Sequence, residues 1–183
     1  MRQTISVVTI LPLAVLLVTA AGGYGQDNQA PFSIKIDTPA SVVEAGAKIR
    51  ISVLLTNTST HTIGLYFSNS RDPLLEEYRV HVYDAANRHR KMSKYAWKLS
   101  GMKPAADDKN DYSDYKDDFV MMESGGYGPL EPGTTRESRL DLSDAYTLDS
   151  PGKYTVWVSR VDPASKLTVR SNTITLTVTG QTK

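Results

Sequence analysis

The sequence predicts an all-β protein whose architecture is an antiparallel two-sheet sandwich. Three observations predict it. Short runs of alternating apolar and polar residues recur about seven to nine times, separated by Gly, Pro, Asn and Asp turn signals. No stretch of note keeps the periodicity of an amphipathic helix. The run Leu148-Asp149-Ser150-Pro151-Gly152-Lys153-Tyr154-Thr155-Val156-Trp157-Val158 carries a Pro-Gly turn into a β-branched and aromatic strand with strict alternation. A small closed barrel is the alternative architecture.

The chain opens with Met1-Arg2, continues almost wholly apolar from Ile5 to Ala21, and then reaches small residues at Ala20, Ala21, Gly22, Gly23 and Gly25. A short basic start, an apolar centre and a small-residue exit describe a secretory signal peptide over residues 1–25, cleaved near Gly23 to Gln26. An uncleaved membrane anchor is the competing reading. Against it, the apolar run falls short of the roughly 20 residues that span a bilayer, Pro12 interrupts it, and no basic cluster follows. Residues 26–31 read as a polar, flexible segment, and residues 32–180 as the sandwich.

Within the sandwich, Phe32, Ile34 and Ile36 alternate with Ser33 and Lys35 as a first strand, broken at Thr38-Pro39 because Pro cannot donate to a ladder. Ser41 to Glu44 forms a short second piece before the turn at Ala45-Gly46. Lys48 to Thr56 is the cleanest half-buried strand, with Ile49, Ile51, Val53 and Leu55 facing one way. Asn57 to Thr60 turns the chain, and Ile63 to Phe67 returns. After a loop at Ser68 to Pro73, Tyr78, Val80 and Val82 alternate with Arg79, His81 and Tyr83. Asp84 to Asn87 has hairpin-turn composition, with Arg88 to Ser93 pairing back as a basic edge that discourages aggregation. Periodicity then vanishes between Lys98 and Leu130, so residues 98–130 read as a long insertion, a functional loop or a disordered one. Leu140 and Leu142 mark the next strand. Tyr154, Val156 and Val158 point inward on the one after it, and Ile174, Leu176 and Val178 alternate with threonines in the last.

Composition narrows the function. Arg2 is the only charged residue of the first 25, so its removal takes the formal charge from +1 to 0. A neutral chain of mixed charge offers no electrostatic reason for nucleic acid or an anionic membrane as partner. About 158 residues remain, enough for a sizeable core. The absence of cysteine removes disulfides, a lipidated Cys, a thiol nucleophile and a thiolate metal site. A cysteine-free, exported sandwich implies a bacterial protein, periplasmic or secreted, without stable membrane insertion once the signal is cleaved.

The segments Asn57-x-Ser59, Leu65-x-Phe67-Ser68, Tyr78-x-Val80-x-Val82-x-Asp84, Leu130-x-Pro132-Gly133 and Pro151-Gly152-x-Tyr154-Thr155-Val156 cover most of the mature chain. In that order they resemble uncharacterised bacterial secreted immunoglobulin-like β-sandwich domains. More loosely, they are similar to the bacterial intracellular proteinase inhibitor family. The Leu148-x-x-Pro151-Gly152-x-Tyr154 spacing resembles the tyrosine corner of immunoglobulin-like sandwiches, in which a Tyr hydroxyl bonds the backbone just upstream. The resemblance implies structural roles for Leu148, Pro151, Gly152 and Tyr154. It implies no catalytic residue. This chain departs from the inhibitor family in its export signal and its Asp-rich insertion.

Among chemistry-bearing residues, Asp107, Asp108, Asp111, Asp114, Asp117 and Asp118 cluster in the insertion, and carboxylates of this kind hold Ca²⁺. The EF-hand register is missing, Lys109 and Lys116 compete, and a solvated loop explains the run. His61, His81 and His89 lack metal-ligand spacing and read as surface residues. No serine sits in a nucleophile elbow, no carboxylate pair is placed for glycoside hydrolysis, and Gly125 to Gly128 reads as a flexible linker. The expectation is a protein that is not an enzyme and carries no cofactor. The interaction candidates are aromatic. Trp157 falls on the outward phase of its strand, with Trp97 and Tyr66 as companions; either the face is free, or the insertion folds over it. The function expected is therefore an exported binding module for a protein or cell-envelope component. An extracellular protease inhibitor and a Ca²⁺-stiffened module are the alternatives.

Overall fold

The computed structural model describes residues 30–69, 72–100, 108–115 and 125–181. The expected signal segment lies outside them, as do Asp107, Asp117 and Asp118.

Among the described residues, ten strands form three sheets. Strands β1 (Phe32–Asp37), β3 (Arg50–Asn57) and β7 (Thr135–Asp141) make one sheet in the order β1-β3-β7. Strands β2 (Val42–Glu44), β10 (Ile174–Thr179), β8 (Gly152–Val161) and β5 (Arg79–Asp84) make the second in that order, and β9 (Thr168–Arg170) pairs with β8. Strands β4 (Ile63–Ser68) and β6 (Gly125–Leu130) form a separate two-stranded ribbon. All pairings are antiparallel except β2 with β10. Two facing sheets with a short parallel strand added beside the last one make an immunoglobulin-like sandwich.

Alternation decides which side chains go inside. Phe32, Ile34 and Ile36 of β1 and Ile51, Val53 and Leu55 of β3 are buried at every second position, and they meet Tyr154, Val156 and Val158 of β8 and Leu176 and Val178 of β10 in one core. The β8 strand is entered through the turn at Pro151, where the Tyr154 hydroxyl donates to the carbonyl of Ser150 at 2.7 Å. Tyr154 itself is buried.

Several local readings need correction. The described residues include three short helices, α1 (Pro73–Glu77), α2 (Lys94–Ser100) and α3 (Leu142–Ala145), with a 3-10 turn at Ser113–Tyr115. None is long enough to display a helical period in sequence. Leu142 opens α3 instead of extending a strand; the Asp141 carboxylate accepts from Ser143 N at 3.2 Å as its N-cap. The return strand β4 does not pair with β3. It pairs with β6, in a register that sets Tyr66 opposite Tyr127. The Gly-rich stretch is thus a strand and no linker, and residues 98–130 are structured at their end. Arg88 to Ser93 contributes only single bridges, Tyr83 with His89 and Met92 with Tyr146, instead of a continuous edge strand.

Candidate binding site

Helix α1 begins with Pro73, whose fixed φ suits the first turn, and ends at Tyr78, whose extended backbone launches β5. One turn is enough to bury Leu74, Leu75 and Glu77. Glu77 is the anomaly, because its side chain is wholly buried and a lone carboxylate inside a core is very costly. Three donors converge on it. Ser68 N donates at 2.8 Å, Arg160 Nη1 lies at 3.2 Å and Arg136 Nη2 at 3.6 Å. Arg160 is itself buried and donates its other amino group to the carbonyl of Tyr66. The Arg136 guanidinium stacks 3.7 Å from the centroid of Phe67. Burial pushes the Glu77 carboxyl above the ordinary carboxylate range, and the Ser68 N–H and the two arginines only partly oppose it. The network fastens α1, β7, β8 and the β4–β6 ribbon to one another.

Beside this network lies a cavity of about 450 Å³ between the ribbon (Tyr66, Tyr127), the end of α1 (Glu76, Glu77) and strands β5 and β8 (Arg79, Arg160). Tyr66 and Tyr127 meet edge to face with ring centroids 5.9 Å apart, and Tyr127 is 75% exposed at the mouth. The Glu76 Oε2 accepts from the Ser68 hydroxyl at 2.7 Å, whereas its Oε1 is buried with no hydrogen-bond partner among the described residues. Gly125 lets the ribbon close: a Cβ there would lie 2.6 Å from the carbonyl oxygen of Phe67 and collide with the Tyr66 ring. A larger depression of about 640 Å³ lies along β1, β3 and β7, but its acids are engaged, Asp37 with Thr38 N at 2.8 Å, Glu137 with Arg139 at 2.8 Å and Asp141 with Ile49 N at 3.3 Å.

The three aromatic candidates fall into three different clusters. Tyr66 borders the cavity. Trp157 is half-buried, stacked 3.5 Å from His81 at an interplanar angle of 8°, with the Arg170 guanidinium 3.9 Å from its centroid. What covers it is therefore β5 and β9. The described part of the insertion rests on Trp97 instead, where Tyr112 stacks at 4.4 Å and the Lys91 ammonium lies 4.9 Å from Tyr115. Burial pushes the Tyr112 hydroxyl well above its ordinary pKa; it also donates to Asp108 Oδ2 at 2.8 Å. Asp108 Oδ1 accepts from Asn110, and Asp111 accepts from Ser113 N. Among the described residues no three His, Asp or Glu side chains gather closely enough to hold a metal ion. His61 is exposed, but His81 is buried instead of lying on the surface, because the Trp157 ring from the neighbouring β8 stacks on it, with Ser159 and His89 alongside.

Glu77, Arg160, Arg136 and Glu76 were not legible as a site. The Asp72-Pro73 helix start and the glycines flanking Tyr127 were the available signals.

No protein-family model matches this chain, and neither does any curated protein. Solved structures align with it at low similarity. A CARDB domain from Pyrococcus furiosus, in complex with di-metal ions, aligns over 82% of this chain and 94% of its own length, at 13% identity and a TM-score of 0.40. A β-glucosidase from Erythrobacter marinus aligns over 81% of this chain at 14% identity and a TM-score of 0.40, and one from Listeria innocua over 83% at 10% and 0.39. This chain spans only 15% and 17% of those two enzymes.

Proposed function

We propose that this protein is an exported, non-catalytic binding module that presents the mouth of the β4–β6 cavity to a cell-envelope partner. The observation that supports this most is Tyr127: a large aromatic side chain, 75% exposed, held on a paired strand beside a cavity. Exposed aromatics fixed on rigid elements are typical binding anchors. The ion-pair network beside the cavity supports a binding role over a catalytic one, since Glu77, Arg160 and Arg136 are used to hold the fold together.

The test is capture from envelope extracts of the producing cell by wild type, Tyr127→Ala, and Val42→Ser, a control at another exposed apolar residue. A partner retained by wild type and Val42→Ser but lost with Tyr127→Ala is the expected result; equal capture by Tyr127→Ala refutes the location. Export is tested separately by N-terminal sequencing of the protein from the periplasm or medium. The expected start lies between Gly23 and Gln26, and an intact Met1 in the membrane fraction refutes cleavage.

A further inference from the structure

Resting on that reading, we infer that the β4–β6 cavity takes a neutral polyhydroxylated ring, a saccharide unit. Its volume of about 450 Å³ lies inside the roughly 300–1,000 Å³ of small-molecule sites. The lining combines two kinds of surface. Tyr66, Tyr127 and Val161 offer apolar faces, and Tyr127 and Val161 are exposed at 75% and 54%. Glu76 and Arg79 offer hydrogen bonds of opposite sense, since a carboxylate only accepts and a guanidinium only donates.

The charges of the wall give the direction. Glu76 stands in it with Oε2 on the Ser68 hydroxyl, beside Glu77, Arg79 and Arg160. A cationic ligand would supply a donor, but it would also meet Arg79 and Arg160 in the same wall. An anion would meet Glu76 and Glu77. The formal charges of the lining cancel, two acids against two arginines, so the complementary ligand carries no net charge. A hydroxyl has one donor for Glu76 and two lone pairs for Arg79. A ring bearing several hydroxyls on one edge and C–H groups on its face matches both surfaces at once.

The experiment is saturation-transfer NMR and calorimetry on the protein purified after expression of the full chain. The probes are neutral glucan, mannan and chitin oligosaccharides, with trilysine and inorganic phosphate as charged comparisons, each at low and high salt. The expected result is binding of at least one neutral oligosaccharide with an affinity insensitive to salt. Tyr127→Ala weakens it about tenfold or more while Tyr127→Phe keeps it within about threefold, as for an anchor that acts through its ring. Glu76→Gln weakens it as well, with an unchanged circular dichroism spectrum. Binding of trilysine or phosphate alone, or of no oligosaccharide, overturns the saccharide. Loss of the envelope partner from Tyr127→Ala without any oligosaccharide binding removes this inference and leaves the binding module standing. Oligosaccharide binding untouched by both Tyr127→Ala and Glu76→Gln removes the cavity from both.

Discussion

Two buried tyrosines make a matched experiment on hydrogen bonds in this sandwich. The Tyr154 hydroxyl donates to Ser150 O and the Tyr146 hydroxyl donates to Val80 O, both at 2.7 Å. The donors are equivalent and the rings equally buried, at 3% exposure each. The acceptors differ. Ser150 is exposed in its turn, so water replaces the lost donor in Tyr154→Phe, and the cost is a net hydrogen bond of about 0.5–1.5 kcal/mol. Val80 is buried on β5, the last strand of its sheet, and its carbonyl points to the side where Arg90 N bonds Val82 O two residues on. Tyr146→Phe leaves that carbonyl buried and unsatisfied, which costs about 1–3 kcal/mol. Burial also holds the Tyr146 phenol far above its ordinary pKa, so the donor is present at all working pH. Urea unfolding at 25 °C is the assay, with m-values equal in both variants as the sign that only stability changed. In thermal scans each kcal/mol corresponds to roughly 2–4 °C for a domain of this size. A cost for Tyr154→Phe equal to or above that of Tyr146→Phe refutes the reasoning.

Other outcomes follow from the same structure. Glu77→Ala strips the partner from Ser68 N, Arg160 and Arg136 and costs about 3–5 kcal/mol in the same assay, whereas Glu77→Gln keeps an acceptor for Ser68 N and costs less. Because the folded-state pKa of Glu77 is raised, the unfolded chain releases its proton first. This group's contribution therefore falls as pH rises above about 4.3, a slope that Glu77→Gln abolishes. Asp162 behaves oppositely: burial would raise its pKa, but hydrogen bonds from Ser165 and Ala164 hold it down. Its contribution is lost as pH falls below about 4, and Asp162→Asn is expected to flatten the acid limb of a pH–stability curve. Gly125→Ala forces the Phe67 carbonyl and Tyr66 away and is expected to lower the melting temperature, while Gly126→Ala, with open space at its Cβ, leaves it unchanged. Arg170→Ala uncovers Trp157 for about 0.5–1 kcal/mol and shifts its fluorescence to the red; an unchanged spectrum refutes the stacking. With the Asp108 oxygens engaged by Asn110 and Tyr112, EDTA is expected to leave the melting temperature unmoved, and a fall would restore the Ca²⁺-held loop.

The sequence by itself determined the class of fold and the inward face of its main strands. Burial on a pleated sheet repeats every second residue, so Ile49 to Leu55 and Tyr154 to Val158 carry their orientation locally, and Pro151-Gly152 marks the entry to β8 in adjacent letters. Only the tertiary structure decided that β4 joins β6 across some sixty residues, because a Gly-rich strand has too few side chains to show a period. It alone decided that Glu77 and Arg160, 83 positions apart, are inside the protein, since a charged letter reads as solvated until its counter-ion is seen. The cavity has the same origin: its walls come from five separate segments, and nothing in any one of them records the others.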